Sequence, residues 1–415
     1  MNIDGGRLRA DIEANAQYGA IESETGHGRT ALAGTDANRR CRDRLVERME
    51  EAGLEVRIDA VGNVAGRWEP RSTDPELAPV ATGSHLDSVP EGGIFDGPLG
   101  VYAALEAVRA MQDAGAEPER PIEVVSFTEE EGQRFGGGML GSAVATGERS
   151  VESALALEDD AGQSLAEALE AIGYRGDGRL DAGEWDAWLE LHVEQDTTLE
   201  TAGVPVGIVT TITGIAHYTA VVEGEANHAG ATAMDERRDA LVAASEVVRD
   251  VERAAKEVAA TDSPTAVATV GRLDVTPNAT NVVPGRADLG IDVRDVRRES
   301  MDVLEGSIER SLDRVAGDRD VETSLETELD VDPMPMSDRV REVAHGAAEK
   351  EGIDAMDLPS GAAHDTMHVA RVTDAALLFA PSRDGISHSP DEWTDWEDCA
   401  TATTVLAGAV AELAT

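Results

Sequence analysis

Pro79-Val80-Ala81-Thr82-Gly83-Ser84-His85-Leu86-Asp87-Ser88-Val89, continued by Pro90-Glu91-Gly92-Gly93-Ile94-Phe95-Asp96-Gly97, decides how this chain is organised. The short apolar run Pro79 to Thr82 reads as a buried strand. Directly after it, the fifteen residues from Gly83 to Gly97 carry one imidazole, three carboxylates and four glycines. Strand ends in open α/β sheets are where ligands bind. His85 and Asp96 lie eleven residues apart, too far for one helical face, but a glycine-rich loop lets the backbone turn tightly around an ion. The loop reads as half of a metal site; the plain alternative is a surface turn with an incidental histidine.

Working outward, Thr35-Asp36 are cap candidates for a helix over 36–53 that carries Leu45 and Met49 and closes on Gly53. Leu54 to Asp59 and Asn63 to Trp68 alternate apolar and polar around Gly62, a hairpin-like pair of strands. After the opening loop, Val101, Leu105, Val108 and Met111 recur at helical spacing up to Gly115. Ile122 to Phe127 is the next strand, and it delivers Glu129-Glu130-Glu131 at its end. Leu165, Leu169 and Ile172 mark a helix, and Trp188 to Glu194 a strand with His192 on one face.

The texture changes near Thr211. From there to Leu329 the order is strand (218–222), helix (240–258), strand (266–273), strand (287–293), helix (301–315), strand (321–329). That βαββαβ order is the ferredoxin-like signature. A helix over 337–350 with Ser337 as cap candidate follows, then the strand Ala375 to Phe379 leading into Gly385-Ile386-Ser387-His388, and a last helix over 400–413. The fold expected is α/β: a discontinuous mixed-sheet catalytic domain, residues 1–211 and 330–415, with a ferredoxin-like α+β dimerisation or lid domain, 212–329, inserted in it.

The strand ends thus offer His85 with Asp96, Glu130 with Glu131, His192, and His388. Histidine and carboxylate ligands suit Zn²⁺, Mn²⁺ or Co²⁺, whereas an all-oxygen calcium cage would not need the imidazoles. Two ions would need a bridging carboxylate, and Asp96, in the tightest glycine setting, is the candidate. Only one of the two adjacent glutamates can comfortably face the same ion, leaving the other to take a proton from the attacking water. Asp87 stands where it could accept the other N–H of the His85 ring. The acidic triplet, on its own, also reads as solvated surface, and His192 as a satisfied core histidine. Asp177 to Gly183 misses the oxygen that a calcium loop needs at its third position and reads as a turn.

Seven segments together carry a resemblance: GSHLDSVPEGGIFDGPLGVYAALEA, FTEEEGQRFGGGMLGSA, LELHVEQ, EANHAGATAM, NATNVVPG with DVR, SGAAHDTM and GISHSPDEW. In order and over nearly the whole chain, they resemble the amidase, hydantoinase and carbamoylase branch of the dinuclear metallopeptidase family M20. That branch includes N-carbamoyl-L-amino-acid hydrolases, allantoate amidohydrolases and β-ureidopropionases, and a histidine in the HVEQ element separates it from the peptidases and aminoacylases. The resemblance implies two divalent ions per subunit, one held by His85, Asp96 and His192 and one by Asp96, Glu131 and His388. Glu130 falls on the general base. His228 matches a residue that reaches from a partner subunit to steady the developing oxyanion, and Asn281 and Arg294 match residues that grip the carboxylate of a small substrate. The implied protein is a homodimer that hydrolyses linear C–N bonds in N-carbamoyl or ureido acids. An aminoacylase or dipeptidase of the same family is the alternative, and an inactive metal-stabilised binding protein the alternative outside enzymology. Ala233 replaces a usual proline, and Ala216-His217 a pair that is often Gln or Arg, which leaves the substrate's side chain open.

Composition bounds the rest. Length, 415 residues, exceeds what one hydrophobic core usually supports. The chain has 82 acidic against 35 basic residues, a formal charge of −47, and its only lysines are Lys256 and Lys350. Such a charge excludes nucleic acid and anionic membranes as partners. It resembles proteins of salt-loving organisms. Two cysteines, Cys41 and Cys399, cannot build a disulfide framework. With no apolar signal core and no long apolar run, the sequence reads as that of a soluble cytoplasmic protein. Self-repulsion should destabilise the fold at low ionic strength, and salt, with a Debye length of ~3 Å at 1 M, should relieve it. Thermal midpoints are therefore expected to rise as KCl goes from roughly 0.1 to 3 M; a flat curve would remove the salt-adaptation reading.

Overall fold

Four parallel strands, Ile122–Phe127, Val80–His85, Ala187–Val193 and Asp374–Ala380, lie side by side in that order. The first three are buried along their whole length and the fourth everywhere but Asp374. Strands covered on both faces read as near-continuous apolar runs, and that is why they were visible in the sequence. Pro98–Asp113 and Trp396–Leu413 pack on the sheet, and the short helices Leu140–Ala145 and Thr366–Val369 touch its strands as well. Phe127, Trp185 and Trp188 fill a core cluster. Beside this parallel centre, Val64–Trp68 runs antiparallel to Ile122–Phe127 and pairs with Glu55–Ile58, while Val206–Ile212 runs antiparallel to Asp374–Ala380. The sheet is mixed.

In this computed structural model, which describes residues 1–23 and 27–415, these strands, up to Thr210 in the case of Val206–Ile212, belong to a unit made of residues 1–210 and 336–415. Residues 211–335 form a second compact unit. Its four strands, Gly214–Glu223, Val267–Thr276, Arg286–Asp295 and Glu322–Val331, are all antiparallel and ordered fourth, first, third, second. Helices Ala240–Thr261 and Arg298–Arg319 supply Val247, Val251, Leu304 and Ile308 to a core shared with Ala216, Tyr218, Ala220 and Val222. Along Gly214–Glu223 every second residue is buried, the mark of a sheet covered on one face.

The sequence reading was too short at several points. Gly214–Glu223 begins four residues before the expected Tyr218, because the buried position before it is only Ala216, too small to signal a strand. The inserted unit runs to Pro335 rather than Leu329: its last strand continues to Val331, and Met334–Pro335 then pairs with Ile212 and Thr211. Ser337 occupies the cap position of Asp338–Glu351 without making a cap hydrogen bond. Thr35, by contrast, accepts the Asn38 N–H as expected. Among the described residues no helix is long and apolar enough to cross a membrane.

Candidate metal centre

Parallel strands share a direction, so their carboxyl ends share an edge. Here that edge collects His85 at the end of its strand, Glu130 and Glu131 just beyond Phe127, His192 one residue before the end of its own, and His388 on the loop after Ala380. Asp96 joins them from the glycine-rich loop. Gly97 closes that loop at φ 79°, and a Cβ there would stand 2.6 Å from the His85 ring, so the loop comes this close only because Gly97 has no side chain.

Asp96 sits in the middle. Its Oδ1 lies 3.4 Å from His85 Nε2 and 3.3 Å from His192 Nε2, and its Oδ2 lies 3.4 Å from His388 Nε2. His388 Nε2 is also 3.5 Å from Glu131 Oε2, and His85 Nε2 is 3.7 Å from Glu130 Oε2. Three groups have all their ligand atoms within 4.8 Å of one another: His85, Asp96 and His192; Asp96, Glu131 and His388; and His85, Glu130 and Glu131. Glu130 therefore meets the cluster on the His85 side, and Glu131 on the His388 side. Glu129 takes no part. With a left-handed backbone it turns inward, where its carboxylate accepts the N–H groups of Arg134 and Phe135 at 2.7 and 2.6 Å.

The rings are oriented from behind. His192 Nδ1 lies 3.0 Å from its neighbour's carbonyl, Val193 O, and His85 Nδ1 lies 3.2 Å from Asp87 O. Both leave Nε2 for the cluster, the arrangement that outer partners impose on metal-binding imidazoles. Asp87 thus meets the ring through its carbonyl, its carboxylate being 3.9 Å away and engaged instead by the Glu131 N–H. The sequence reading missed the groups behind Asp96: Gln195, Ser387 and Glu392. It also missed His364, whose ring packs edge-on against His192, and Glu190, which links Ser84 to Thr366. All five lie within the LELHVEQ, SGAAHDTM and GISHSPDEW segments, but a residue that braces a ligand has no spacing rule of its own.

Electrostatically the cluster is unbalanced. Burial pushes Glu131 up to about 7, with Asp96 adding repulsion. Burial also drives Glu130 well above the usual carboxylate range, opposed by His85 and reinforced by Glu131, Asp365 and Asp96. Despite its burial, the facing imidazoles of His192, His388 and His85 hold Asp96 well below the usual carboxylate range. The buried His85 Nε2 has no hydrogen-bond partner. Converging carboxylates, an orphaned imidazole nitrogen and the absence of thiolates fit divalent cations.

Two other predicted residues stand together in the second unit. A two-stranded ribbon, absent from the sequence reading, pairs Asn227–His228 with Val282–Val283, and Ala229 N–H donates to Asn281 O at 3.0 Å. Gly230 N–H donates to His228 Nδ1 at 3.0 Å, which leaves Nε2 of that exposed ring as a proton donor. Arg294 stands elsewhere. It pairs with Asp292, both of whose oxygens lie 3.1 Å from Nε, and Asp292 also meets His217 Nε2 at 2.9 Å. On their shared strand Arg294 is opposite Ile215 and Arg286 opposite Glu223. Eight residues at ~3.3 Å each put about 26 Å between Arg294 and the end that leads to the ribbon.

Residues 81–412 match peptidase family M20/M25/M40. The chain is 41% identical over 402 residues to an N-carbamoyl-L-amino acid amidohydrolase of Geobacillus stearothermophilus, covering 96% of each. It is 35% identical over 387 residues to an allantoate amidohydrolase of Bacillus subtilis (strain 168), covering 92% of this chain and 91% of the other. A solved amidase of the hydantoinase/carbamoylase family from Burkholderia multivorans superposes with a TM-score of 0.92 at 37% identity, covering 100% of this chain and 98% of that one.

Proton exchange offers a check on the cluster. Asp96 raises His388 from its ordinary 6.5 to about 9, so its stabilising contribution is complete below 6.5 and is lost as the pH rises through 9. Glu131, raised from 4.5 to about 7, likewise favours the folded state while protonated and loses that contribution as the pH passes 7. The metal-free protein should therefore lose stability between about pH 5 and 9. A divalent cation must displace these protons. Calorimetry of Mn²⁺ uptake at pH 7 in buffers of different ionisation enthalpy should report proton release; uptake without release would place the ion elsewhere.

Proposed function

The chain belongs to peptidase family M20/M25/M40, and on that premise we propose that it is an amidohydrolase cleaving the non-peptide C–N bond of a linear N-carbamoyl or ureido acid. The observation that carries this reading is the pair of overlapping ligand groups that share Asp96, in a chain similar along nearly its full length to carbamoyl and allantoate amidohydrolases.

His85, Asp96 and His192 would hold one divalent ion, and Asp96, Glu131 and His388 a second, with Zn²⁺, Mn²⁺ or Co²⁺ all matching the donors. Bound there, such ions supply polarisation of the ureido carbonyl and acidify a water. Glu130, beside His85 and grouped with neither shared set, accepts the proton of the attacking water. Glu130 then delivers that proton to the leaving nitrogen as the C–N bond breaks. The Nε2–H of His228 is free to donate to the oxygen that becomes negative. Asn281 and Arg294 would grip the substrate's carboxylate, the guanidinium exchanging Asp292 for it.

A substrate of this class is far shorter than the 26 Å or so that separates Arg294 from the ribbon end of its strand. The roles given to His228 and Arg294 then require two chains per site, a homodimer in which the inserted unit serves as dimerisation and lid domain. Two buried free cysteines and the acidic composition support a salt-adapted cytoplasmic enzyme.

Assaying N-carbamoyl amino acids, allantoate and N-acetyl amino acids side by side tests the substrate class: turnover of the acetyl compounds alone would make it an aminoacylase. Glu130→Gln should abolish turnover and retain both ions, whereas loss of an ion per chain would make Glu130 a ligand. For the dimer, His228→Ala and Arg294→Ala should each be inactive alone and recover activity when their subunits are exchanged, since one site of the hybrid is then intact. No recovery from exchanged hybrids would put both residues in one chain's site.

A further inference from the structure

His85 and His192 need little outside help, because each belongs to a buried strand whose ladder fixes its backbone, and their side chains are 1% and 2% exposed. His388 differs. Its side chain is 54% exposed, its backbone is left-handed at φ 53°, and it sits on an irregular loop. Asp96 is on an irregular loop too. Nothing in the strand ladder holds these two loops together, yet the outer ligand group, Asp96 with Glu131 and His388, depends on their spacing.

Glu392 spans the gap. Its Oε1 accepts the backbone N–H groups of Phe95 and Asp96, both at 3.0 Å, and its Oε2 lies 2.9 Å from Ser387 Oγ, next to His388. The residue is 1% exposed. It is seated against Gly93, where a Cβ would come within 2.2 Å of Glu392 Oε1. Ser387 Oγ in turn lies 3.0 Å from Asp96 Oδ2, the oxygen that faces His388, and Gln195 Nε2 donates to both.

We propose that Glu392 is a positioning residue that ties the Asp96 loop to the His388 loop and thereby sets the outer ion site, whereas in the inner site two of the three ligands, His85 and His192, are set by the strands. The proposal rests on the two-ion reading above. It separates the two sites by what builds them: ladder hydrogen bonds fix two ligands of the inner one, and a side-chain network centred on the buried Glu392, with Ser387 and Gln195, joins the loops of the outer one.

The test is a titration of the metal-free full-length chain with Mn²⁺, reading ions bound per chain, the affinity of each step and the melting temperature before metal is added. Glu392→Ala should leave the tighter step close to wild type and weaken the other about 10- to 100-fold, the usual range for an outer partner of a ligand. Ser387→Ala cuts the same tie, together with the Ser387 hydrogen bond to Asp96 Oδ2, yet leaves the Phe95 and Asp96 N–H groups satisfied, so it should weaken the same step with a smaller change in melting. Glu392→Gln keeps an oxygen for the two N–H groups and offers its amide to Ser387 Oγ, so it should restore the second step. Unchanged second-step affinity in both alanine variants overturns the proposal. So does an equal weakening of both steps that tracks the loss of melting temperature, which is what a merely structural Glu392 would give. Wild-type protein that binds only one ion would overturn it together with the two-ion reading, whereas two ions with unaffected variants would overturn it alone.

Discussion

One carboxylate meeting three imidazoles is the interaction on which the first unit depends. Asp96 offers one oxygen to His85 and His192 and the other to His388, and no two of those histidines come from the same stretch of chain. Parallel strands solve the problem of bringing them together, because every such strand finishes at the same edge of the sheet. The cost is electrostatic. Asp96, Glu130 and Glu131 crowd one partly buried space, where burial and mutual repulsion raise the proton affinity of both glutamates. Cations, as protons on the imidazoles or as metal, are what let the edge exist.

What was legible in the sequence follows from the same physics. Buried parallel strands are rich in apolar residues, so the start of Val80–His85 and most of Ile122–Phe127 announced themselves, and the ligands stood at or just beyond their ends. In the second unit the alternation of Gly214–Glu223 was readable where Tyr218 and Val222 face the core, and faded where Ala216 does. The ribbon that places His228 beside Asn281 consists of two strands of two residues each, too short for any periodicity. Glu392 was hidden for another reason. In a chain with 82 acidic residues, a glutamate is by default a solvated one, and only the fold distinguishes this buried acceptor of two backbone N–H groups from its neighbours.

Acidity also shapes how the cations are used. With 35 basic residues for 82 acidic ones, some arginines serve several anions, as their planar fork allows and lysine's point charge does not. Arg298 reaches Asp302, Asp330 and Asp332. Arg314 reaches Glu246, Asp250 and Asp318. Exposed pairs of this kind contribute about 0–1 kcal/mol each, so they do not cancel the net repulsion. The converse arrangement occurs in the interior, where the buried Asp11 gathers Arg44, Arg48 and Arg109 from two helices. There one anion is satisfied by three cations.

Two roles are proposed for the sheet of the second unit. Its strands are ten residues long, and the groups matched to substrate binding stand at opposite ends: Arg294 beside Ile215 at one, the His228 ribbon beyond Glu223 at the other. Helices Ala240–Thr261 and Arg298–Arg319 cover one face with a continuous apolar core, which makes the sheet a stiff bar between those ends. A stiff bar cannot fold back to bring its two ends to one small molecule. If both ends act on substrate, they act on different substrate molecules, and each site borrows one end from another chain. On the roles proposed for His228 and Arg294, the length of the sheet, fixed by its hydrogen-bond register, is the feature that calls for an assembly larger than one chain.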